Sequence, residues 1–416
     1  MRRNLLVTTV LLLLTGMGFQ TRVFGFDQDG LVIHGFAGQG YIKSSDNSYF
    51  GNSEDGSYEY NEIGINFMLP ATDDLRLGIQ VFSRDLGQYG NNDLTLDWAL
   101  IDYYWTSWLG FRAGKVKMPF GLFNRSRDVD NLRTSAILNQ AVYIEGIRDL
   151  VIAFYGFNVY GSKTLGVLGS INYDLFTGTL DVPNDSPWVV GFFNRMKYAD
   201  KKLGVFASMM DLSDLTINIK HFEGGQLLWN TPIPGLVLSA TDFFGKSNAK
   251  FGAIPGEAKL KEFSVLSARY DFKDFTFIFE RTKADIEFRM LGLPEIPGLN
   301  WDGKMTSQFE GWYGEIAWRV TRWLDLGASY GEFYPDSNDK NGHIIDSGDE
   351  AQRLPDYYAW QKDTTLSTKF NINEYLCIKF ETHFIDGLGN TDLSDYSPGE
   401  MKKHWNLYVL KTSINI

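Results

Sequence analysis

The last ten residues of the chain, Leu407–Ile416 (LYVLKTSINI), alternate between apolar and polar side chains. Successive side chains of an extended strand point in opposite directions, so each kind shares one face. These residues are Tyr408, Leu410, Ile414 and Ile416 on one face, and Lys411, Ser413 and Asn415 on the other. A terminal strand of this kind suits a wall with lipid on one side and water on the other. The end of the chain therefore predicts a strand of a membrane barrel.

The N-terminus predicts export. Arg2 and Arg3 precede the apolar run Leu5–Leu14, and small or medium residues follow at Val23–Gly25. This is the pattern of a secretory signal peptide, and its apolar core is too short for a transmembrane helix. We expect residues 1–25 to be cleaved and residues 26–416 to form a single barrel domain.

Composition limits the possible classes. Residues 26–416 contain no run of eighteen apolar residues, so helical membrane spans are not expected. Loss of the signal peptide leaves 36 basic residues against 51 acidic ones, and this charge of about −15 argues against nucleic acid as a partner. Cys377 is the only cysteine, so no internal disulfide can form.

Alternating segments occur in pairs around short polar turns, which indicates hairpins. In the first pair, Ile63, Ile65, Phe67 and Leu69 share a face, and the returning strand places Leu75, Leu77, Ile79 and Val81 outward and Arg76, Gln80 and Arg84 inward. Seven such turns are predicted, at Ala71–Asp74, Thr106–Trp108, Ser162–Thr164, Leu212–Asp214, Lys273–Asp274, Thr321–Arg322 and Asn373–Glu374.

Longer polar stretches separate the pairs. Eight are predicted, at 43–57, 87–93, 119–150, 176–200, 224–258, 289–306, 334–360 and 387–403. Seven turns and eight loops imply sixteen strands with both termini on the turn side. The predicted fold is an all-β, closed antiparallel transmembrane β-barrel with short periplasmic turns and long extracellular loops, because strands in lipid must leave no unpaired edge. Between residues 110 and 118, charged residues occur at both even and odd positions. This pattern suggests a bulge there and does not decide which side chains face the lumen.

Aromatic residues provide an independent indication. They gather near the predicted short turns: Tyr103, Trp105, Trp108, Phe272, Phe275, Trp318, Trp323 and Tyr375. An interfacial girdle of a barrel requires amphipathic rings at that height. A barrel of sixteen strands leaves an aqueous lumen, so the pattern predicts a channel.

Two segments carry a family resemblance. Gly114–Asp128 (GKVKMPFGLFNRSRD), which leads into the third long loop, resembles the opening of the constriction loop in phosphate-selective O/P porins and dicarboxylate-type trimeric porins. Lys379–Gly387 (KFETHFIDG) in the penultimate strand adds to it, whereas Ile416 stands where such barrels generally end in phenylalanine. The resemblance implies a water-filled pore, commonly a homotrimer, whose third loop, at about 119–150, folds into the lumen.

The third loop supplies the candidate selectivity residues. Arg125, Arg127 and Arg133 on the loop, together with wall residues Arg76, Arg84, Lys115 and Lys117, would favour anions at a constriction. Alternatively, the arginines pair with Asp128, Asp130, Asp102 and Glu62 and hold the loop against the wall. Acidic residues with lumen parity are Asp174, Glu280, Glu315, Asp325 and Glu381. Both roles remain possible, and the preference for anions is mild.

Enzymatic and metal sites are not expected. The five histidines (His34, His221, His343, His383 and His404) show no metal-ligand spacing and no triad signature. Loop 7 is acidic, but Lys340 replaces an oxygen ligand that a calcium loop of the EF-hand type needs. We therefore expect no metal, no cofactor and no catalytic residue.

The sequence thus predicts a diffusion channel for small hydrophilic solutes, with a mild preference for anions or organic acids, in the outer membrane of a Gram-negative bacterium. Its expected partners are outer-membrane lipid and lipopolysaccharide. Two alternatives are a barrel with phospholipase-like activity and an exported soluble β-sandwich or adhesin.

Overall fold

The computed structural model describes residues 30–87, 89–182, 215–251, 254–291, 303–345, 354–391 and 399–416. Sixteen strands form one closed antiparallel barrel in which each strand pairs with its neighbours in sequence. They are β1 (Val32–Ser44), β2 (Tyr60–Pro70), β3 (Leu75–Leu86), β4 (Thr95–Thr106), β5 (Leu109–Lys117), β6 (Ala153–Thr164), β7 (Ser170–Val182), β8 (Leu215–Asn230), β9 (Leu236–Phe251), β10 (Ile254–Phe272), β11 (Phe275–Met290), β12 (Lys304–Arg319), β13 (Leu324–Tyr334), β14 (Gln361–Asn371), β15 (Leu376–Gly387) and β16 (His404–Asn415). Among the described residues, no helix has the length and apolar character needed to cross a membrane.

The barrel closes where the sequence predicts. β1 pairs with β16 over nine residue pairs, from Phe36 opposite Asn415 to Ser44 opposite Leu407. Tyr408, Leu410 and Ile414 point outward and are exposed, whereas Lys411 and Ser413 point inward and are buried. The predicted strand number, pairing and facing of the terminal strand are confirmed. The alternative of a soluble sandwich is wrong, since one sheet closes on itself.

The route to the strand number was wrong in two regions. The turn predicted at Ser162–Thr164 lies within β6, and the short turn there is 165–169. The second region follows it. The turn predicted at Leu212–Asp214 and most of the loop predicted at 176–200 lie outside the described residues, although β7 continues to Val182. The fourth short turn is 231–235, between β8 and β9. The long loop predicted at 224–258 is wrong, because β9 ends at Phe251 and β10 begins at Ile254. Each connection predicted between β7 and β10 has a counterpart further along the chain, so the number of strands is unchanged.

The strands β8 to β12 are longer than the others, and their polarity reverses along their length. On β11, the outward residues Phe277 and Phe279 are followed by Arg281 and Lys283, which are also exposed. Over the same length the inward residues become apolar, as at Ile286, which is buried. The outward change from rings to charges marks the end of the apolar outer belt, because charged side chains are costly in lipid.

The turn side carries the predicted aromatic girdle. The rings that are more than a third exposed on the outside of this end are Tyr103, Trp105, Trp108, Phe272, Trp318, Trp323 and Tyr375. Four of them (Trp108, Phe272, Trp323 and Tyr375) lie in or directly beside short turns, at residues 107–108, 273–274, 320–323 and 372–375. This arrangement gives the outer wall an apolar band with an aromatic border.

Candidate functional site

Loop 3, which we define as residues 118–152 between β5 and β6, contains several short helical turns. They are Asn124–Ser126, Asp130–Leu132, Glu145–Ile147 and the helix α1 (Arg148–Val151). The buried amide of Asn124 donates to the carbonyl oxygens of Met118 at 3.0 Å and Val151 at 2.5 Å, one near each end of the loop. This side chain therefore ties the base of loop 3 together.

One side of loop 3 packs on rings of the inner wall. Phe120 lies 5.2 Å from Phe263 on β10 and 6.2 Å from Phe243 on β9, measured between ring centroids. These wall rings belong to an aromatic row, which we define as the inward phenylalanines of β7 to β10, β12 and β13: Phe176, Phe222, Phe243, Phe263, Phe309 and Phe333. All members are buried, so loop 3 and this wall form one apolar core inside the barrel.

The same wall contains a buried carboxylate, and at one point the backbone of loop 3 passes directly against it. Glu280 on β11 accepts hydrogen bonds from the hydroxyls of Tyr143 at 2.7 Å and Tyr313 at 2.6 Å, and from the backbone N–H of Leu122 at 2.9 Å. On β12, a Cβ at Gly311 would lie 1.9 Å from the carbonyl oxygen of Ala141, so only glycine lets the loop backbone pass there.

The other side of loop 3 is held by charges at the seam where the barrel closes. The Asp130 carboxylate accepts from Lys411 Nζ at 2.7 Å and Ser413 Oγ at 2.5 Å on β16, and lies 3.4 Å from Lys379 Nζ on β15. Arg133 donates to the same carboxylate at 2.5 Å. Asp130, Lys379, Lys411 and Ser413 are buried, so this carboxylate compensates cationic charge out of contact with bulk water.

A second wall carboxylate fixes the next part of the loop. Glu381 on β15 accepts from the backbone N–H groups of Ala136 at 2.7 Å and Ile137 at 3.2 Å. His383 lies between Glu381 at 2.9 Å and Asp363 at 2.8 Å. These contacts agree with the prediction that the Glu381 side chain points into the barrel.

Loop 3 is also paired with β3 and β4. Glu145 accepts from Arg127 at 2.7 Å and is bridged to Arg84 on β3. Asp128 accepts from Lys117 at 2.6 Å and lies 3.6 Å from Arg148, which itself pairs with Asp97 at 3.1 Å. Arg84, Arg127, Lys117 and Asp128 thus come together as the sequence suggests, but with Glu145, Asp97 and Arg148 as partners.

A third charged group lies nearer the short turns. Arg125 forms a two-pronged pair with Asp174 on β7 at 2.6 and 3.0 Å. Arg112 on β5 lies 3.5 Å from both Asp174 and Asp102. Asp102 therefore pairs with a wall arginine rather than with loop 3.

Two wall residues do not face loop 3 as expected. Arg76 is exposed near the turn end of β3, opposite Asp102 in the register. Lys115 lies on the outer face with Phe111: its Nζ donates to the carbonyl of Leu96 at 2.5 Å and lies 5.5 Å from the ring of Tyr155. The prediction that Lys115 lines the lumen is wrong, because β5 keeps its alternation and Arg112 takes the inward position.

The bulge suggested between residues 110 and 118 is also wrong. β5 pairs with β6 without a register shift, and the irregularity between β4 and β5 lies at Tyr104–Thr106. Gly114 instead has a φ of +125°. Lys117 is the last residue of β5, and its side chain reaches into the barrel, where it pairs with Asp128 of loop 3.

The loop carboxylates are held in their charged form. Burial by itself raises the pKa of Glu145, but attraction to Arg127 and Arg84 outweighs burial and lowers this pKa to about 2. Burial likewise opposes ionisation of Asp128 and Asp130, and nearby cations leave the pKa of each below its ordinary value: Lys117 and Arg148 for Asp128, Lys379 and Lys411 for Asp130. Loop 3 is therefore anchored by ionised pairs at neutral pH.

Two polar cavities lie on opposite sides of loop 3. The one on the loop side is lined by Tyr60, Glu62, Arg84 and Arg127, among others. The other, which we call the vestibule, lies on the turn side, has a volume of about 330 Å³ and is lined by side chains of loop 3 and of β10 to β14. Arg133 lines both cavities and is the residue between them.

Several residues of the site were not identified from the sequence. Arg112, Lys379 and Lys411 lie in the segments 110–118, 379–387 and 407–416 described above, and their inward positions in the strands could have identified them. Asp97 and Arg148 gave no such signal, since their roles depend on how loop 3 lies against β4. Within the described part of the chain, no group of three potential ligands is placed to hold a metal ion.

No protein-family model and no curated protein matches the sequence. Solved structures do match the fold. OmpF of Salmonella typhi, in a complex with daunomycin, aligns with a TM-score of 0.56 and 12% identity over 94% of this chain and 99% of that one. An anion-selective porin from Comamonas acidovorans aligns with a TM-score of 0.53 and 11% identity over 93% and 99%.

The outer membrane channel DcaP of Acinetobacter baumannii aligns with a TM-score of 0.51 and 11% identity over 93% and 99% of the two chains. These structural neighbours are outer-membrane porins and channels. At such low identity the likeness defines the fold alone: a sixteen-stranded barrel of the porin type.

Proposed function

We propose that this protein is a non-enzymatic diffusion channel of a Gram-negative outer membrane, open to small hydrophilic solutes. The observation that carries the proposal is the position of loop 3. It crosses a closed barrel with an apolar outer band and has a polar cavity on each side, with charged residues between them. A buried charged loop inside a membrane barrel suits ion passage, because fixed charges act strongly where ions lose part of their hydration.

The test is electrical. The purified protein should give stepwise increases of current in planar lipid bilayers, and reversal potentials in asymmetric KCl should give the sign of selectivity. Its heat-modifiable gel mobility should report a folded barrel in the same preparation. A folded barrel without current steps would contradict the channel proposal.

We infer a mild preference for anions or organic acids. Arg125, Arg127 and Arg133 remain the candidate selectivity residues, although each also has a carboxylate partner. Arg112 and Arg84 add further positive charge inside the wall. Replacing Arg125, Arg127 and Arg133 by serine should shift the reversal potential towards cations, and a shift in the opposite direction would contradict the preference.

Kinship with the phosphate-selective O/P and dicarboxylate-type porins, assembly as a homotrimer, cleavage after residue 25 and contact with lipopolysaccharide belong to the same proposal. The segment Gly114–Asp128, which leads into loop 3, supports the kinship. Native mass spectrometry of the detergent-extracted protein would give the number of subunits and any retained lipopolysaccharide, and N-terminal sequencing would give the cleavage site.

The alternative of a phospholipase-like barrel needs a nucleophile, a histidine and an acid on the lipid side. His383 has an acidic partner, but it is buried on the lumen side between Asp363 and Glu381. The channel is therefore the better supported function.

A further inference from the structure

From the vestibule we infer a binding site for short zwitterionic solutes of the oligopeptide type, and this inference rests on the proposed channel function. The vestibule is larger than the cavity on the loop side and lies where a solute would pass after loop 3. Its volume of about 330 Å³ lies within the range of small-ligand sites.

The lining of the vestibule contains both signs of charge. Five cations face it (Arg133, Arg269, Lys273, Arg319 and Lys369), and four carboxylates (Asp271, Asp274, Glu315 and Asp325). Two of the four carboxylates are already occupied: Asp271 pairs with Arg269 at 3.0 Å, and Asp325 lies 3.6 Å from both Arg319 and Lys369.

Glu315 differs from these carboxylates. It lies in the wall on β12, and within the described residues its carboxylate makes neither a hydrogen bond nor an ion pair. A carboxylate that is partly withdrawn from water and lacks a partner attracts a cationic or hydrogen-bond-donating group. Glu315 is therefore the place for the ammonium group of a solute.

A second unsatisfied group lies at the entrance to the vestibule. Arg133 is buried, with 8% of its side chain exposed, and uses its terminal nitrogens for Asp130 and the carbonyl of Arg127. Its Nε has no hydrogen-bond acceptor. The positive charge of Arg133 thus acts on solutes at the neck between the two cavities.

The spacing along β12 sets the size of the solute. Glu315, Ala317 and Arg319 alternate on the inward face, and all three line the vestibule. Four residues of strand place the Cα atoms of Glu315 and Arg319 about 13 Å apart, and the small side chain of Ala317 leaves room between them. Arg319 has 71% of its side chain exposed, so it can bind a carboxylate in addition to Asp325. An extended tripeptide is about 10 Å long, and the side chains of Glu315 and Arg319 extend the remaining distance to its ammonium and its carboxylate.

The experiment uses the intact protein in planar bilayers, with triglycine added from the short-turn side. N-acetyl-triglycine lacks the ammonium group and triglycine amide lacks the carboxylate, so they separate the two ends. We expect triglycine to reduce the current in a saturable way at lower concentration than either derivative.

Two variants remove the same charge from the same cavity. Glu315→Gln should weaken the triglycine block at least tenfold and leave the block by N-acetyl-triglycine within twofold. Asp271→Asn, which removes a carboxylate already paired with Arg269, should change the triglycine block by less than twofold.

The outcomes are distinct. Equal block by triglycine and N-acetyl-triglycine, or equal effects of the two variants, would overturn the zwitterion site while the channel function stands. Absence of any ion current from the folded protein would overturn the proposed function, and with it this inference.

Discussion

The two sides of loop 3 are attached to the barrel by opposite kinds of chemistry. Towards β8 to β13 the loop is held by packed rings. Towards β3 to β5, β15 and β16 it is held by ionised pairs around Asp130, Asp128 and Glu145. The difference teaches where solutes can pass: the packed rings fill the lumen where they lie, whereas the vestibule opens on the turn side, between loop 3 and β10 to β14, and the other cavity borders the charged side.

The largest effect is expected from breaking the charged attachment at the seam. Asp130→Ala leaves Lys379 and Lys411 buried without their shared carboxylate, and loss of one partner of a buried ion pair costs about 3–5 kcal/mol. Unfolding in detergent should show this loss, and the conductance should rise as loop 3 leaves its position. Asp73→Asn, in an exposed turn, is the control and should keep the native stability. If Asp130→Ala also kept the native stability, the seam would not hold the loop.

Acid should weaken the charged attachment and spare the aromatic one. The pKa of Glu145 is lowered from 4.5 to about 2, so its stabilising effect is complete above pH 4.5 and is lost as the pH falls through 2. This shift corresponds to about 3 kcal/mol. Current recordings between pH 7 and pH 2 should show larger and noisier openings below pH 4. Glu145→Gln should show part of this change already at pH 7. If the openings of the native protein did not change with pH, the ionised pairs would not hold loop 3.

A smaller effect is expected on the aromatic side. Tyr143→Phe keeps the ring beside Phe120 but removes the hydroxyl that donates to Glu280, at a cost of about 1–2 kcal/mol. Because this substitution removes no charge, the reversal potential should stay unchanged while the unfolding midpoint falls. A shift in selectivity would mean that the two attachments are not independent.

The smallest effect tests facing on a single strand. Lys117→Gln removes the partner of Asp128 inside the barrel and should shift the reversal potential towards cations. Lys115→Gln, two residues earlier on the outer face, should leave it within experimental error. Equal shifts in the two variants would show that the inward and outward assignments on β5 are wrong.

The sequence predicted the parts of the fold that lie between lipid and water. In β2, β3 and β16 the two environments impose a strict alternation, and the predicted facing of Gln80 and Leu410 is found in the structure. Prediction failed in β8 to β10, because these strands continue beyond the apolar outer belt. There the outward residues, such as Lys246 and Lys250, are polar, and a strand with a water-facing outer surface resembles a loop.

The partners within the site were less predictable. Parity showed that Asp174 and Glu381 point inward, but it does not show which loop residue each one meets. Asp174 pairs with Arg125, and Glu381 binds the backbone of Ala136 rather than an arginine. Such contacts depend on the path of loop 3 across the lumen, which strand periodicity does not encode.

The ion pair across the closing seam has a consequence for the order of assembly. Lys411 binds Asp130 of loop 3 at 2.7 Å and Glu62 on β2 at 2.6 Å, and it reaches Glu62 across β1 because Gly38 has no side chain to obstruct it. Lys411 lies on β16, the strand that closes the barrel against β1. A truncated chain would lack the cation that secures both loop 3 and the second strand. The position of loop 3 at this seam is therefore fixed only once β16 has closed the barrel.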